Sequence, residues 1–287
     1  MKFSEFKYER PNFDQYKATM TSLIDQFKVA SSASEQLNIV TEINETRNHI
    51  ETMATLASIR HSIDTRDEFY DAEQNYWDEY GPLYEEINSL FYDAVVSSPY
   101  RNELEEKLSK QFFTILDYRL KAFSPEIIAD LQEENKLSSQ YTKLLASAKI
   151  PFDGEERTLP GMGKYLLSED RTVREAASKA KYAFFEEHEA EIDEIYDQLV
   201  KVRTRIAKKL GFNNFVELGY VRMTRSDYNP EMVENFRKQV LDYIVPVATS
   251  LYNRQEARLG YGTLRYFDEK FEFTTGNATP KGEPEWI

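Results

Sequence analysis

The sequence predicts a mainly α fold, an array of long antiparallel helices with at most one small β-hairpin near residues 150–159. Three observations predict it. Helix breakers are scarce, with 10 glycines and 10 prolines in 287 residues, against about 12% for the pair in average proteins. Charged residues reach 30%, which suits long helices with solvated outer faces. Apolar residues also return every three or four positions over long stretches, most clearly between Ser168 and Arg225. That period gathers them on one helical face.

Taken in order, residues 1–11 read as an extended lead-in ending at Pro11. Asn12 or Asp14 can cap a first helix running through Phe27. Ala33 to about Ile63 reads as a second helix, with Leu37, Val40, Ile43 and Ile50 on one side. Asp67 to Val96 is a third, with a kink expected at Gly81-Pro82. Pro99 opens another helical piece. Ser124-Pro125-Glu126 is a strong helix start, with serine at the cap and proline at the first position, and that helix should run to about Lys149. Asp153-Gly154 then signals a hairpin turn between short flanks.

Ser168 to Arg225 is the longest uninterrupted helical pattern. Ile192, Ile195, Tyr196, Leu199, Val202, Ile206 and Leu210 share a face. Thr172 to Glu175 reads as a capping box, with Ser168 and Asp170 as alternative caps. Glu186, Glu187, Glu189, Glu191, Asp193 and Glu194 crowd the first half, while Arg203, Arg205, Lys208 and Lys209 crowd the last turns, an order that suits the helix dipole. Gly211 stops the helix, and a continuous helix would span roughly 55–60 Å at 1.5 Å per residue. Asn213 or Asn214 caps a short helix from Phe215 to Arg222, with Glu217 completing the cap. Asn229-Pro230 starts a further helix, which Pro246 should kink and Gly260 should end. Residues 261–287 are irregular. A division into residues 1–149 and 150–287 is expected, with one continuous helical body as the alternative.

Composition narrows the function classes. The chain carries 36 basic and 50 acidic residues, a net charge of −14. This argues against nucleic acid and against anionic lipid surfaces as partners. Cysteine is absent, so no disulfide framework and no thiolate metal site exist. The N-terminus lacks the apolar core of a signal peptide, and no window approaches the apolar length of a membrane span. A cytoplasmic protein is expected. No Gly-x-Ser-x-Gly elbow occurs, which leaves only a dispersed hydrolase site as a nucleophilic reading. Gly161-Met162-Gly163-Lys164 lacks the remaining elements of a phosphate loop, and Gly260-Tyr261-Gly262 reads as a helix terminus and turn. The acidic run reads as a solvated face, with Asp197 and Lys201 as an i,i+4 pair. Arg203 and Arg205 could reach a substrate but read more simply as ion-pair partners of nearby acids. Tyr261, Tyr266 and Phe267 could face a peptide groove but read more simply as packing residues.

Several stretches carry a family resemblance. DRTVREAASKA followed by RTRIAKKLGFNNFVELGY resembles the N-terminal half of the oligoendopeptidase F branch of the thimet-oligopeptidase-like zinc metallopeptidases. IPFDGEERTLPGMGKYLLSEDRTVR resembles that family's short hairpin leading into a long helix. SDYNPEMVENFRKQV resembles the helix that follows, and LGYGTLRYFDEKF the approach to the catalytic half. The resemblance covers residues 150–287 well and residues 1–149 loosely, as a helical array opening with FKYERPN.

The resemblance implies a soluble intracellular enzyme that cleaves short peptides in a deep channel between two helical lobes, using zinc-activated water. Such a hydrolase needs HExxH on a helix, which sets two imidazoles one turn apart with a general-base glutamate between them. The chain has three histidines. His49 is followed by Ile50 and His61 by Ser62. His188 is followed by Glu189, but Ile192 stands where the second imidazole belongs. HEAEI therefore reads as part of the charged helix surface. No catalytic, cofactor-binding or metal residue is assigned to this chain. Zinc and the general base are expected in a catalytic half beyond Ile287, and the apolar end, Trp286-Ile287, suits a chain that continues. On this reading the chain forms one channel wall and is inactive alone. The alternative is a non-enzymatic helical protein-interaction module.

Overall fold

A computed structural model describes residues 3–278 together with Pro280 and Gly282. The fold is mainly α, with two short strands. The helices are α1 (Phe13–Val29), α2 (Ala33–Ile63), α3 (Glu68–Val96), α4 (Arg101–Leu108), α5 (Lys110–Lys121), α6 (Ile128–Ala146), α7 (Arg171–Glu187), α8 (Glu189–Lys209), α9 (Phe215–Arg222), α10 (Pro230–Gln239) and α11 (Val245–Leu259). The hairpin is β1 (Ile150–Phe152) and β2 (Glu155–Arg157). The chain groups into two compact units, each drawn from two stretches. One holds residues 1–143 and 194–229, the other residues 144–193 and 230–287.

The first unit is a helical stack whose starts are fixed by short polar side chains. Asn12 Oδ1 accepts from the Gln15 amide at 2.9 Å, and Asp67 Oδ1 from the amides of Phe69 and Tyr70. Ser32 caps α2 through the Glu35 amide, and the Glu35 carboxylate returns to the Ser31 amide at 2.8 Å. Each satisfies amides that the first helical turn leaves without partners. One face each of α1, α2 and α3 supplies the main core, including Met20, Phe27, Ile43, Ala57, Phe91 and Val95. Of the α2 face read from sequence, Val40, Ile43 and Ile50 are buried and Leu37 packs against the cluster. Polar links fix the helices to each other: Gln36 Nε2 donates to the Phe27 carbonyl at 2.9 Å, and Ser98 Oγ to Gln36 Oε1 at 2.6 Å.

α3 continues through Gly81-Pro82 as one helix. Proline has no amide proton, so the carbonyl four residues back loses its helical donor. That carbonyl belongs to Asp78, and Asn135 Nδ2 of α6 donates to it at 3.1 Å. Gln132 Nε2 donates to the neighbouring Glu79 carbonyl at 2.8 Å. The backbone site opened by Pro82 thus serves as a dock for α6. A second cluster in this unit gathers Ile127, Leu137, Val202, Ile206 and Leu218.

In the second unit the hairpin pairs Ile150 with Arg157 and Phe152 with Glu155. Asp153 and Gly154 sit at φ 52° and 74°, the left-handed pair that a two-residue hairpin turn requires. Ile150, Met162 and Ala177 form a small core with Phe152 and Tyr165 against it. Asp170 caps α7, accepting from the Thr172 amide at 2.8 Å, so it prevails over Ser168 and over a Thr172–Glu175 box.

Two sequence expectations need correction. The pattern from Ser168 to Arg225 is not one uninterrupted helix: it begins at Arg171 and breaks at His188, where φ is −103° and ψ 12°. The acidic run gives this turn like charges at i,i+3 and i,i+4, which oppose a regular helix. The helix after Ser124-Pro125 ends at Ala146, short of Lys149. The disturbance expected at Pro246 takes the form of a π turn, Val240–Ile244, between α10 and α11. In a regular α-helix the proline ring presses on the carbonyl four residues back, and a wider turn ahead of it relieves that contact. Gly260 ends α11 at φ 68°. Trp286 and Ile287 lie outside the described residues.

Candidate functional site

The most deeply buried charge cluster joins the start of α7 to the segment after α11. Arg174 and Asp268 are both fully buried, with Nη2 of Arg174 2.8 Å from Oδ1 of Asp268. Arg171 reaches the same carboxylate through Nε and Nη2, the latter at 2.8 Å, and the Arg265 amide adds a donor at 3.1 Å. Burial alone raises the Asp268 carboxyl, but the two guanidiniums outweigh it and hold the group below the usual carboxylate range. The Arg174 guanidinium lies 4.0 Å from the centroid of the Phe271 ring and donates to the Ser168 carbonyl at 2.7 Å. Gln255 Nε2 completes the clamp by donating to the carbonyls of Asp268, Glu269 and Phe271. The cluster fastens the irregular segment 261–273 to α7 and α11. Its carboxylate is saturated with donors, so it holds structure and offers no free acid or base.

The residues singled out from sequence fall in separate places. Tyr261 belongs to this cluster: its ring lies 4.4 Å from the Arg171 guanidinium and its hydroxyl accepts from Arg174. Phe267 packs on Arg171, while Tyr266 is exposed beside Tyr182. Arg203 pairs with Glu134 at 2.7 Å, and Arg205 with Asp130 at 2.6 Å and with Glu133. Lys209 and Arg222 join the same network on α6. Burial pushes the Asp130 carboxyl up, and its bonds to Lys209 and Arg205 bring it below the ordinary range. Both arginines therefore have structural partners. Asp197 and Lys201 pair at 2.5 Å.

His188 packs on the Phe184 ring and lies 3.5 Å from Glu191. Ile192 offers no donor to a metal, and among the described residues no three His, Asp or Glu side chains converge to hold one.

One feature largely without an internal role is the helical run from Pro230 to Leu259, made of α10, the π turn and α11. Along it Phe236, Val240, Ile244, Val247 and Leu251 recur at spacings of four and three, with Leu241, Val245 and Tyr252 in a neighbouring row. All of these except Val240 are among the exposed large hydrophobics of the chain. Only near its end does the helix become buried, at Gln255 and Leu259. An apolar stripe of this width is the signature of a helix packed against something.

Comparison with known proteins gives that stripe a context. The pattern of the Peptidase M3 N-terminal domain matches residues 3–123. A structure of Pz peptidase A with an inhibitor is 54% identical, with a TM-score of 0.97 over 99% of this chain and 51% of its own. The chain belongs to the M3 peptidase family, on its oligoendopeptidase F branch. A protein from Bacillus anthracis assigned to oligoendopeptidase F is 53% identical at a TM-score of 0.96, over 100% of this chain and 53% of its own. A further oligoendopeptidase F structure is 51% identical at a TM-score of 0.97, over 100% of this chain and 51% of its own. Comparison with curated protein sequences yields no match. The chain thus spans about half the length of these M3 relatives. Among the described residues no helix is long and apolar enough to cross a membrane.

The stripe from Phe236 to Tyr252 is legible in the sequence, because its spacing is local. The Arg174–Asp268 pair gave no such signal, because its partners lie 94 residues apart.

Proposed function

We propose that this chain supplies one half of an oligoendopeptidase F-like zinc metallopeptidase that hydrolyses short peptides, and that alone it binds no catalytic zinc and cleaves nothing. One observation carries the reading: full-length similarity, above half identity, to only about half of each M3 relative. The zinc ligands and the general base belong to the other half. The exposed stripe on Pro230–Arg254 is the surface that this other half covers, and covering it removes apolar area from water. In the assembled enzyme this chain forms one wall of the peptide channel. A cytoplasmic location goes with this reading.

The test has two parts. Purified chain is analysed for bound metal and assayed with quenched fluorescent peptides, and neither zinc nor cleavage is expected. The separately produced remaining half of the Bacillus anthracis relative is then added, and chelator-sensitive cleavage is expected to appear with stoichiometric association. Stoichiometric zinc and cleavage by the chain alone would overturn the reading. So would a chain that binds little apolar dye and stays monodisperse without associating with the added half; that outcome would favour a self-sufficient helical interaction module.

A further inference from the structure

A second feature lies outside the peptidase reading and does not depend on it. In the first unit, residues of α2, α3 and α6 line a polar cavity of about 260 Å³. Much of the hydrogen-donating capacity around it is already used. Ser62 Oγ donates to the Ser58 carbonyl at 2.8 Å, and Ser138 Oγ to the Glu134 carbonyl at 2.9 Å. Asn135 Nδ2 is taken by the Asp78 carbonyl, and Gln74 Nε2 by Asp78 Oδ1 at 2.9 Å. These four side chains therefore keep oxygen lone pairs to offer. Asp78 adds a negative one. The residue is 5% exposed, and its Oδ2 is buried without a hydrogen-bond partner. Burial pushes this carboxyl above the ordinary range, outweighing its polar neighbours Ser139 and Gln74 and the nearby Lys143 and His61.

The neighbouring charges are already matched. Asp71 is held by Lys143 at 2.5 Å and by His61 at 3.3 Å. Glu134 is held by Arg203 at 2.7 Å and Arg222 at 2.9 Å. Lys143 and His61 are engaged by Asp71, and Asp78 Oδ2 is left without a hydrogen-bond partner of its own. We propose that this cavity binds a single monovalent cation, sodium or potassium, through Asp78 Oδ2 and the oxygens of Ser62, Gln74, Asn135 and Ser138, with water completing the shell. All-oxygen ligation suits a hard cation. A single carboxylate balances one charge, whereas calcium sites draw on several carboxylates. The cavity volume leaves room for the accompanying waters.

Thermal unfolding of the intact chain at constant ionic strength in potassium, sodium or choline chloride tests this. Stabilisation by a bound ion follows its saturation. At tenfold over Kd the Tm in the preferred alkali chloride should exceed that in choline chloride by about 3 °C. Asp78→Asn should abolish the increment and Ser138→Ala should reduce it. Crystals grown with thallium(I) should show an anomalous peak beside Asp78. Equal Tm values in the three salts, an increment untouched by both variants, or water only in the cavity would overturn the proposal. Should Asp78→Asn fail to fold, the Ser138→Ala increment and the thallium peak decide.

Discussion

Replacing Arg174 by alanine tests how the second unit is held together. The side chain is fully buried. Its guanidinium binds Asp268, the Ser168 and Glu169 carbonyls and the Tyr261 hydroxyl, and lies on the Phe271 ring. Removing one partner of a buried ion pair costs about 3–5 kcal/mol, because the other charge is stranded. Here Arg171 and the Arg265 amide still serve Asp268, which places the expected loss near ~3 kcal/mol, at the low end of that range. Arg171→Ala should cost only about 1–2 kcal/mol, since its side chain is 35% exposed and water can replace it. Urea unfolding followed by circular dichroism, with hydrogen exchange of α7 and α11 to localise the loss, measures both. A cost below about 1 kcal/mol for Arg174→Ala, or equal costs for the two variants, would refute a buried clamp. The pH dependence has a definite sign. Asp268 is lowered in the fold, so its contribution is fully present above the unfolded value of about 3.9. It is lost as pH falls through the still lower folded value. Asp268→Asn should therefore weaken the chain at neutral pH and flatten the acid limb of its stability curve.

Asp130→Ala should destabilise the first unit by about 1–2 kcal/mol, with a loss that shrinks in high salt. The reason is that its partners Arg205 and Lys209 are partly exposed. Asp197→Ala, on a solvated i,i+4 pair, should change the urea midpoint very little. Gly154→Ala should cost about 1 kcal/mol, because the residue stands at φ +74°; unchanged thermal stability would contradict that turn. Ile244→Asp and Leu251→Asp should leave the isolated chain's unfolding curve nearly unchanged while lowering apolar dye binding and blocking association with the added catalytic half.

Local chemistry made most of the helices legible. Caps at Asn12 and Asn214 do their work within three residues of themselves, so the sequence announces them. The hairpin turn is equally local. The break at His188 was less visible, because the apolar period runs through it and only the crowded carboxylates oppose it. Effects at Pro82 and Asp78 were hidden for another reason. Whether a proline bends a helix or recruits a neighbour depends on what stands opposite, and Asn135 is 57 residues from the carbonyl it serves. The same holds for Asp268 and its arginines. The absence of a second imidazole at Ile192, by contrast, was plain from the residues themselves.

The π turn at Val240–Ile244 also acts as a phase adjuster. One residue added to a helical turn rotates all that follows by about 100° relative to what precedes it. The rotation brings Phe236, ahead of the turn, into a fixed angular relation with Leu251 and with the buried anchor Gln255. Loss of a single residue there would leave composition and helicity almost untouched. It would nevertheless turn Phe236 about a quarter of a circle away from the line set by Gln255. The apolar surface would then be present in full but aimed in two directions.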